Sequence, residues 1–327
     1  MSSEPIFRVL PRQVDQTLAA ALRQWMPGKS WGEVRRLIAG RRVMISGNIC
    51  VDEARRLKLQ DVIKLLDQPA AAPPVAEDVR IRFLDRHLVV VEKPSGMTTT
   101  RHAEERDWPA RRKQIQPTLD ELLPAIIAKR ERAKDLGKSR GVPPPVRAVH
   151  RLDRETSGLM VFARTTAAER HLGQQFRKHT TGRRYLAIAE GKVATQTIES
   201  RLVRDRGDGR RGGTTLPDVG KRAITHVKAL DDLGDYTFVE CRLETGRTHQ
   251  IRIHLSELGH PLCGEKVYRQ PLFGKPIPDE SKAPRIALHA VELSFEHPVT
   301  GQRMEFEMPL PEDLTGFLAR LRRAAKR

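Results

Sequence analysis

The residues from His150 to Arg164 read HRLDRETSGLMVFAR, a polar turn followed by a short apolar run. The run from Leu159 to Ala163 contains a β-branched and an aromatic residue, and this pattern predicts a buried strand. The turn before it is rich in Asp, Thr, Ser and Gly, which favour tight turns. Asp153 is therefore expected at the start of a strand, where Arg151 and Arg154 are close enough in sequence to keep its carboxylate charged.

Asp153 is the first candidate for a catalytic group, because the chemistry of the turn holds its carboxylate in one place. The alternative is an aspartate that only accepts hydrogen bonds from backbone N–H groups of its own turn. A single short motif is a weak indication of function, so the rest of the chain has to separate the two interpretations.

The residues His150–Gly158 resemble the signature of the RluA family of pseudouridine synthases. Three further stretches match the same family in the same order: EKPSG at 92–96, RYLA at 184–187 and TGRTHQIRIHL at 245–255. Four ordered matches over most of the chain are a specific indication. The chain departs from the family at residues 98–102, where TTTRH stands in place of a Val-His-Pro sequence.

The resemblance implies that the chain isomerises uridine in RNA to pseudouridine, cutting the N-glycosidic bond and joining C5 of the uracil to the ribose. It implies that Asp153 is the catalytic residue, acting as a nucleophile or as the base that removes a ribose proton. By the same resemblance, Arg252 pairs with Asp153 and Tyr185 stacks on the uracil. Arg252 also falls in the first turn of a predicted helix, where the helix dipole disfavours a cation, and this position indicates an anionic partner.

Other residues of these motifs are expected to bind RNA. A base inside folded RNA must be flipped out before an enzyme can reach its glycosidic bond. Arg151, two residues before Asp153, is well placed to fill the gap that the nucleotide leaves. The residues predicted to contact the substrate are His150, Arg151, Thr156, Arg247 and Gln250, together with Arg35, Arg36, Arg41 and Arg42 near the N-terminus.

The composition favours the same class of partner. The 327 residues include 59 Lys and Arg against 41 Asp and Glu, a net charge of +18, which indicates a polyanionic ligand such as nucleic acid. No apolar run approaches the ~20 residues of a membrane-spanning helix. The three cysteines are scattered, which suits a reducing cytoplasm and predicts neither disulfides nor a metal site. We expect a cytoplasmic monomer that binds RNA and needs no cofactor or metal.

The chain divides into three parts. Residues 1–66 form a predicted small, basic α/β unit that resembles the S4 RNA-binding module, with Ser30 and Glu33 as a capping box. The Pro- and Ala-rich residues 67–77 predict a linker. Residues 78–327 are the predicted catalytic domain, of class α+β, a large, mostly antiparallel mixed sheet with flanking helices and a central cleft. Its topology is implied by the resemblance, and the S4-like module favours ribosomal over transfer RNA.

Several segments of the predicted catalytic domain carry local expectations. Thr166 and Thr248 are expected to cap the helices that follow them. Residues 201–220, rich in Gly, Arg and Asp, predict a flexible connection. Residues 101–147 are longer and more basic than the family stretch, with helical spacing that continues to Lys138. They form either a solvated insertion or an added RNA-contacting arm.

Two other functions are compatible with parts of this pattern. A non-catalytic RNA-binding assembly factor with the same fold would share the charge and the S4-like unit. A methyltransferase would need a cofactor-binding loop, and the sequence contains no Gly-x-Gly-x-x-Gly motif at a strand–helix junction. The combination of Asp153, Tyr185 and Arg252 favours the isomerase over both.

Overall fold

The computed structural model describes residues 5–46, 48–59, 61–70, 72–101, 105, 107–108, 113, 116–135, 144–272, 274–275 and 277–326. It divides into two compact units. The first unit is Met1–Pro73 with the described residues between Trp108 and Gln116, and the second is Pro74–Asp107 with Pro117–Arg327. The division between Pro73 and Pro74 falls within the stretch predicted to be a linker.

The first unit packs two short helices on a small sheet. Its strands are β1 (Ile6–Arg8), β2 (Val43–Ile45), β3 (Asn48–Ile49) and β4 (Val62–Leu65), antiparallel in the order β1-β4-β2-β3. Its helices are α1 (Leu18–Trp25) and α2 (Trp31–Ala39). The predicted capping box starts α2, because Ser30 Oγ accepts from Glu33 N at 3.2 Å and Glu33 Oε2 accepts from Ser30 N at 2.8 Å. Its core is formed by apolar residues such as Leu18, Val34 and Ile63, all fully buried.

The second unit is built on one large sheet. The strands are β5 (Arg80–Leu84), β6 (Leu88–Lys93), β7 (Arg147–Ala148), β8 (Ser157–Ala163), β9 (Gly182–Glu190), β10 (Gln196–Val203), β11 (Gly212–Thr214), β12 (Lys221–Asp232), β13 (Tyr236–Leu243), β14 (Leu288–Glu296) and β15 (Arg303–Glu307). The order is β11-β10-β12-β13-β9-β14-β8-β6-β5, with β15 beside β14 and β7 beside β8. Among the described strand pairs, only β14 with β8 is parallel. The α+β class with a mostly antiparallel mixed sheet is thus confirmed.

The helices described beside this sheet are α3 (Leu119–Asp135), α4 (Thr166–Lys178), α5 (Gln250–Glu257) and α6 (Glu312–Ala325). The apolar face of α3 (Leu119, Leu123 and Ile127) is buried in the main core, whereas the predicted continuation to Lys138 lies outside the described residues. Within the described part of the chain, no helix has the length and apolar composition required to span a membrane.

The central motif forms β8, and both faces of this strand are covered. Met160 and Phe162 pack into one core cluster, whereas Leu159 and Val161 pack into another on the opposite face. A strand buried on both sides is apolar without interruption, which explains the run in the sequence. Gly158 has φ +134, and a Cβ there would overlap the backbone of Ala290 on the parallel strand β14. Only glycine permits this close approach.

Strand β9 has the predicted alternation. Tyr185, Ala187 and Ala189 belong to the main core, and Ile188 packs on the opposite face against α6. The period-2 geometry of a strand therefore places the Tyr185 ring beside small neighbours on the face that carries the site.

Three local expectations were wrong. Thr165 caps α4 in place of Thr166, because its Oγ1 accepts from Ala168 N at 3.2 Å. The residue before α5 is His249, in a left-handed conformation with φ +60 and no side-chain cap, and not Thr248. Residues 201–220 include ordered strand, since residues 201–203 of β10 pair with β11.

Candidate active site

A cleft of about 420 Å³ in the second unit brings the predicted residues of the catalytic motifs together. Its lining combines the turn before β8, strand β9, helix α4 and the turn that leads into α5. The predicted residues that line it are Asp153, Tyr185, Arg252, His150, Arg151, Thr156, Arg247 and Gln250. Residues between positions 150 and 252 therefore line one cavity. Strands β9 and β8 both lie next to β14 in the sheet, which brings the residues on β9 close to the turn that precedes β8.

The turn that carries Asp153 rests on the loop after β6. Ser95 Oγ donates to Glu155 O at 2.7 Å, and Gly96 N donates to Arg154 O at 2.8 Å. Thr99 Oγ1 donates to Leu152 O at 2.8 Å and accepts from Leu152 N at 3.3 Å. The matching stretch at 92–96 thus acts as a platform for the Asp153 turn.

Lys93 is buried beneath this platform, with a relative exposure of 1%. Its Nζ donates to the carbonyl oxygens of Pro94, Met97 and Arg154 at 2.8–3.1 Å. Burial lowers the pKa of Lys93 to about 7, although the nearby Asp153 carboxylate acts in the opposite direction. Lys93 belongs to the matching stretch 92–96, but the sequence did not indicate that its ammonium group is buried.

Asp153 lies at the base of the cleft with only 15% of its side chain exposed. Its Oδ2 is 3.4 Å from Arg252 Nη1, and its Oδ1 is 3.7 Å from His249 Nε2. The predicted pairing of Asp153 with Arg252 is therefore present in the geometry. The expectation for its sequence neighbours was wrong, because Arg151 is exposed and Arg154 Nε donates to Gly96 O. Among the described residues, the ion pairs of Asp153 are with Arg252 and His249 and not with these two arginines.

Arg252 has a second, closer partner that the sequence did not indicate. Its Nε and Nη2 donate to the two carboxylate oxygens of Glu265 at 2.7 and 2.8 Å. Burial by itself lowers the pKa of Arg252, but the bonds to Glu265 and the charge of Asp153 outweigh this effect and raise it above the ordinary value. Arg252 is therefore a permanent cation beside Asp153.

The second neighbour of Asp153 is a neutral group. Burial lowers the pKa of His249 to about 4, despite the opposing effect of the Asp153 charge. The other ring nitrogen, His249 Nδ1, is hydrogen-bonded to the Tyr268 hydroxyl at 2.6 Å. At neutral pH, Arg252 is thus the charged neighbour of Asp153 and His249 a polar one.

Tyr185 lies in the same cleft with a relative exposure of 7%. Burial raises the pKa of its hydroxyl to about 12, so the ring carries a neutral phenol at physiological pH. Its strand neighbour on the same face, Ala187, is too small to cover the ring.

Two of the predicted substrate-binding residues bond mainly to the protein. His150 stacks on Phe176 at 4.4 Å, its Nε2 accepts from Val161 N at 3.1 Å, and burial lowers its pKa to about 3. The Gln250 amide bonds Ile224 O, Thr225 Oγ1, Thr245 Oγ1 and Arg247 N at 2.8–3.0 Å. Both residues shape the wall of the cleft.

The remaining predicted residues, Arg151, Arg247 and Thr156, line the cleft with different degrees of exposure. Arg151 is exposed, and Arg247 is partly exposed with its Nε donating to Arg222 O. Thr156 is buried, and its backbone N–H donates to Asp153 O at 3.1 Å. Three basic side chains that the sequence did not indicate also line the cleft, namely Arg177, His179 and Arg183.

Arg183 and His179 show that positive charge is crowded in this part of the cleft. Burial and the charge of Arg247 lower the pKa of Arg183, and burial with both arginines lowers that of His179. The buried Nε of Arg183 has no hydrogen-bond partner among the described residues. Two crowded arginines, Arg183 and Arg247, with an unsatisfied donor favour binding of an anion, whereas His179 with its lowered pKa is a neutral polar group beside them.

The four arginines predicted to bind RNA in the first unit differ in what they contact. Arg35 pairs with Glu53 at 3.0 Å, and Arg36 is exposed. The guanidinium groups of Arg41 and Arg42 donate to the carbonyl oxygens of residues 66, 67 and 70 in the chain that leaves this unit. No group of three His, Cys, Asp or Glu side chains suited to a metal ion occurs among the described residues.

Comparisons with known proteins identify the family of this chain. A family model described as RNA pseudouridylate synthase matches residues 87–257. The ribosomal large subunit pseudouridine synthase D of Zymomonas mobilis is 35% identical over 275 residues, covering 82% of this chain and 81% of that protein. The uncharacterized RNA pseudouridine synthase YlyB of Bacillus subtilis is 32% identical over 318 residues, covering 95% and 94%.

A solved structure gives independent support for the fold. Human RNA pseudouridylate synthase domain containing 4 aligns with a TM-score of 0.57 at 22% identity, covering 74% of this chain and 92% of that one. Identity at this level supports the architecture alone, whereas the family match and the closer relatives concern the activity. The chain therefore belongs to the RNA pseudouridylate synthase family, and it is an isomerase that acts on RNA.

Proposed function

We propose that this protein converts specific uridines of large-subunit ribosomal RNA to pseudouridine, with Asp153 as the catalytic residue. The observation that carries the proposal is a nearly buried carboxylate at the base of a cleft, 3.4 Å from a permanently charged arginine. The choice of RNA follows relatives from Zymomonas mobilis and Nitrosomonas europaea, which are named ribosomal large subunit pseudouridine synthase D.

The cleft suits a single flipped nucleotide. Its volume of about 420 Å³ lies in the range of pockets that enclose small molecules. The target base leaves the RNA stack and enters the cleft, and Arg151 at the exposed rim fills the gap in the stack. The uracil stacks on the Tyr185 ring, which guards it while it turns over.

Asp153 performs the chemistry from its ionised form. Whether the carboxylate attacks the substrate or removes a ribose proton, it must carry its negative charge at the start, and Arg252 stabilises that charge.

Positive charge in the cleft holds the RNA backbone. Arg183 and Arg247 are crowded together there, and a phosphate placed between them relieves their repulsion, while His179 offers a neutral hydrogen-bonding group. His150 and Gln250 contribute indirectly, because their bonds to protein groups keep the wall of the cleft in shape.

The first unit supplies further binding energy as an S4-like module. We assign this module to residues 1–66, a linker to 67–77 and the catalytic domain to 78–327. Arg35 and Arg36 on α2 are exposed and contact phosphates, whereas Arg41 and Arg42 brace the exit of the chain. The protein acts as a monomer in the cytoplasm, on RNA and not at a membrane.

Asp153→Asn tests the catalytic assignment. The change is nearly isosteric but removes the charge, so pseudouridine formation should fall to background. The affinity for RNA should stay within about threefold, because phosphate contacts supply most of it. The measurement is a single-turnover rate with a ribosomal RNA fragment, together with a binding isotherm.

Asp231→Asn is the matched control, since Asp231 pairs with Arg322 at 2.7 Å on the exterior and does not line the cleft. This variant should keep the wild-type rate. A measurable rate in Asp153→Asn would contradict the catalytic role. It would leave a role in binding RNA, as expected of a non-catalytic assembly factor.

The RNA assignment has its own test. Pseudouridines are mapped in total RNA from cells with and without the gene, and from cells that carry Asp153→Asn. Loss of pseudouridine at defined positions of large-subunit ribosomal RNA, in both altered strains, is the expected result. Loss confined to transfer RNA would refute the choice of RNA while leaving the reaction intact.

A further inference from the structure

Glu265 is the most deeply buried carboxylate next to the site, and its side chain has a relative exposure of 0%. It lies in the loop between α5 and β14, outside the motifs that indicated the function. A buried carboxylate is costly unless charges and hydrogen bonds compensate it. The contacts of Glu265 show how this cost is met and what the residue does.

The backbone holds Glu265 in a fixed position. Its Oε1 accepts from the N–H groups of Lys266, Val267 and Tyr268 at 2.9, 2.8 and 3.3 Å. Burial by itself raises the pKa of Glu265, but the bond and charge of Arg252 and the backbone donors outweigh it, so the net pKa is lowered and the side chain is ionised. A carboxylate held by three backbone donors in one turn has little freedom to move.

Glu265 in turn fixes the plane of the Arg252 guanidinium. Both carboxylate oxygens are engaged, at 2.7 Å to Nε and 2.8 Å to Nη2, and this paired geometry sets the orientation as well as the position. The remaining nitrogen, Nη1, is directed at Asp153 Oδ2 from 3.4 Å. Arg252 is therefore held by Glu265 more closely than by Asp153.

The same short segment also contacts the other neighbour of Asp153. Tyr268, whose N–H bonds Glu265, has its hydroxyl hydrogen-bonded to His249 Nδ1 at 2.6 Å. The Arg252 guanidinium lies over the Tyr268 ring at 5.2 Å. Glu265 and Tyr268 thus hold Arg252 and His249, the two groups that flank the Asp153 carboxylate.

We propose that Glu265 is a positioning residue for the isomerisation: it holds Arg252 at a set distance from Asp153, so that the carboxylate stays ionised without being captured in a tight ion pair. This inference rests on the proposed function. The pull of Glu265 explains why the Arg252 guanidinium lies closer to Glu265, at 2.7 and 2.8 Å, than to Asp153, at 3.4 Å. Without Glu265, Arg252 would move towards Asp153 as its remaining carboxylate partner. With Glu265 in place, Asp153 can change its charge or bonding during the reaction while Arg252 stays in place.

Glu265→Gln in the full-length protein tests the proposal. Without the Glu265 charge, Arg252 closes on Asp153, and the single-turnover rate should fall roughly 10- to 100-fold through misplacement of the catalytic group. RNA affinity should stay within about threefold, since phosphate contacts are unchanged. The acid limb of the pH–rate profile should move as well, because the charged groups of the site then lie at different distances from one another. A purely structural loss would lower the rate without moving that limb.

The same substitution in an Arg252→Met protein shows whether Glu265 acts through Arg252 or whether its loss damages the protein as a whole. In Arg252→Met, Glu265→Gln should cost less than about a further twofold in rate, since the group through which it acts is already gone. Glu190→Gln is the matched control, because Glu190 makes the same two-bond pair with the buried Arg269 at 2.7 and 3.0 Å but does not line the cleft. It should keep both the rate and the pH profile. Melting curves show which variants are folded at the assay temperature.

Glu265→Asp decides the matter if Glu265→Gln does not fold. It keeps the charge but is one methylene shorter, so it should fold, bind RNA normally and react at an intermediate rate. A wild-type rate and pH profile in a folded Glu265→Gln, or in Glu265→Asp where Glu265→Gln does not fold, would overturn the proposal. So would a rate loss of the same size in the Arg252→Met background. Failure of the wild-type protein to form pseudouridine would instead refute the proposed function.

Discussion

His254 in α5 illustrates how single buried residues link this fold to pH. It is 1% exposed, and its ring nitrogens are hydrogen-bonded to Thr225 Oγ1 at 2.9 Å and Ser200 Oγ at 3.0 Å. Burial lowers its pKa from 6.5 to about 4, so the folded state holds the neutral ring. His289, with 0% exposure, has its pKa lowered to about 4 for the same reason.

These histidines should make the protein sensitive to acid. Because the pKa of His254 is lower in the folded than in the unfolded state, the unfolded state binds more protons at pH values between about 4 and 6.5. The contribution of the neutral ring to the stability of the folded state is therefore complete above pH 6.5 and is lost as the pH falls towards 4. Each such group should cost about 1.4 kcal/mol of unfolding free energy per pH unit in that window. Urea unfolding at several pH values measures how steeply the unfolding free energy depends on pH. His254→Gln should reduce this slope by the contribution of one protonating group, about 1.4 kcal/mol per pH unit. An unchanged slope would show that His254 is already protonated in the folded state.

At the scale of elements, the loop after β6 and the turn before β8 behave as one unit. The backbone of residues 152–155 is bonded by Lys93, Ser95, Gly96 and Thr99, so the position of Asp153 depends on a loop far from it in sequence. Residues 98–101 of this loop belong to the stretch 98–102 in which the sequence departs from the family pattern. Thr99 in that departing segment makes two hydrogen bonds to the backbone of the turn.

Thr99→Val should uncouple the loop from the turn. The substitution keeps the shape but leaves the backbone groups of Leu152 without their partner, which should cost about 1–3 kcal/mol of stability and slow the chemical step. Thr237→Val is the control, because Thr237 Oγ1 also makes two backbone bonds, to Gly191 O and Val193 N, away from the cleft. It should lose similar stability with a normal single-turnover rate. Equal rates in the two variants would show that the loop does not position Asp153.

At the scale of the whole molecule, the excess of positive charge is divided between two units with separate cores. The second unit holds every residue that lines the catalytic cleft. The first holds exposed arginines on α2 that suit phosphate binding. Binding and chemistry should therefore be separable by truncation.

A truncated chain that starts at Pro74 should retain the chemistry and bind RNA less tightly. Arg35 and Arg36 are absent from it, and each phosphate that they would neutralise should flatten the slope of log affinity against log salt by roughly 0.7 to 0.9. The single-turnover rate at saturating enzyme should hardly change, because the cleft is intact. Affinity at several salt concentrations is compared for both chains. Equal slopes would argue against the RNA-binding role of the first unit, and an abolished rate in a folded truncation would mean that both units form the active site.

The sequence by itself determined the features that depend on local pattern. The uninterrupted apolar run of β8, the alternation around Tyr185 in β9 and the capping box of α2 follow from spacing, because strand and helix geometry repeat over a few residues. The motifs that resemble a known family also identified Asp153, Arg252 and Tyr185, and the structure places all three in one cleft.

Only the tertiary structure showed what surrounds the pair of Asp153 and Arg252. Arg151 and Arg154 are the neighbours of Asp153 in sequence, yet the arginine that pairs with it, as the resemblance implied, is Arg252, 99 positions away. The burial of Glu265 and Lys93 and their distant partners leave no local pattern in the sequence. These interactions exist only once β6, β8 and the α5 turn are brought together by the sheet. The motif is therefore enough to identify the reactive residue, whereas the charges and hydrogen bonds around that residue depend on the folded structure.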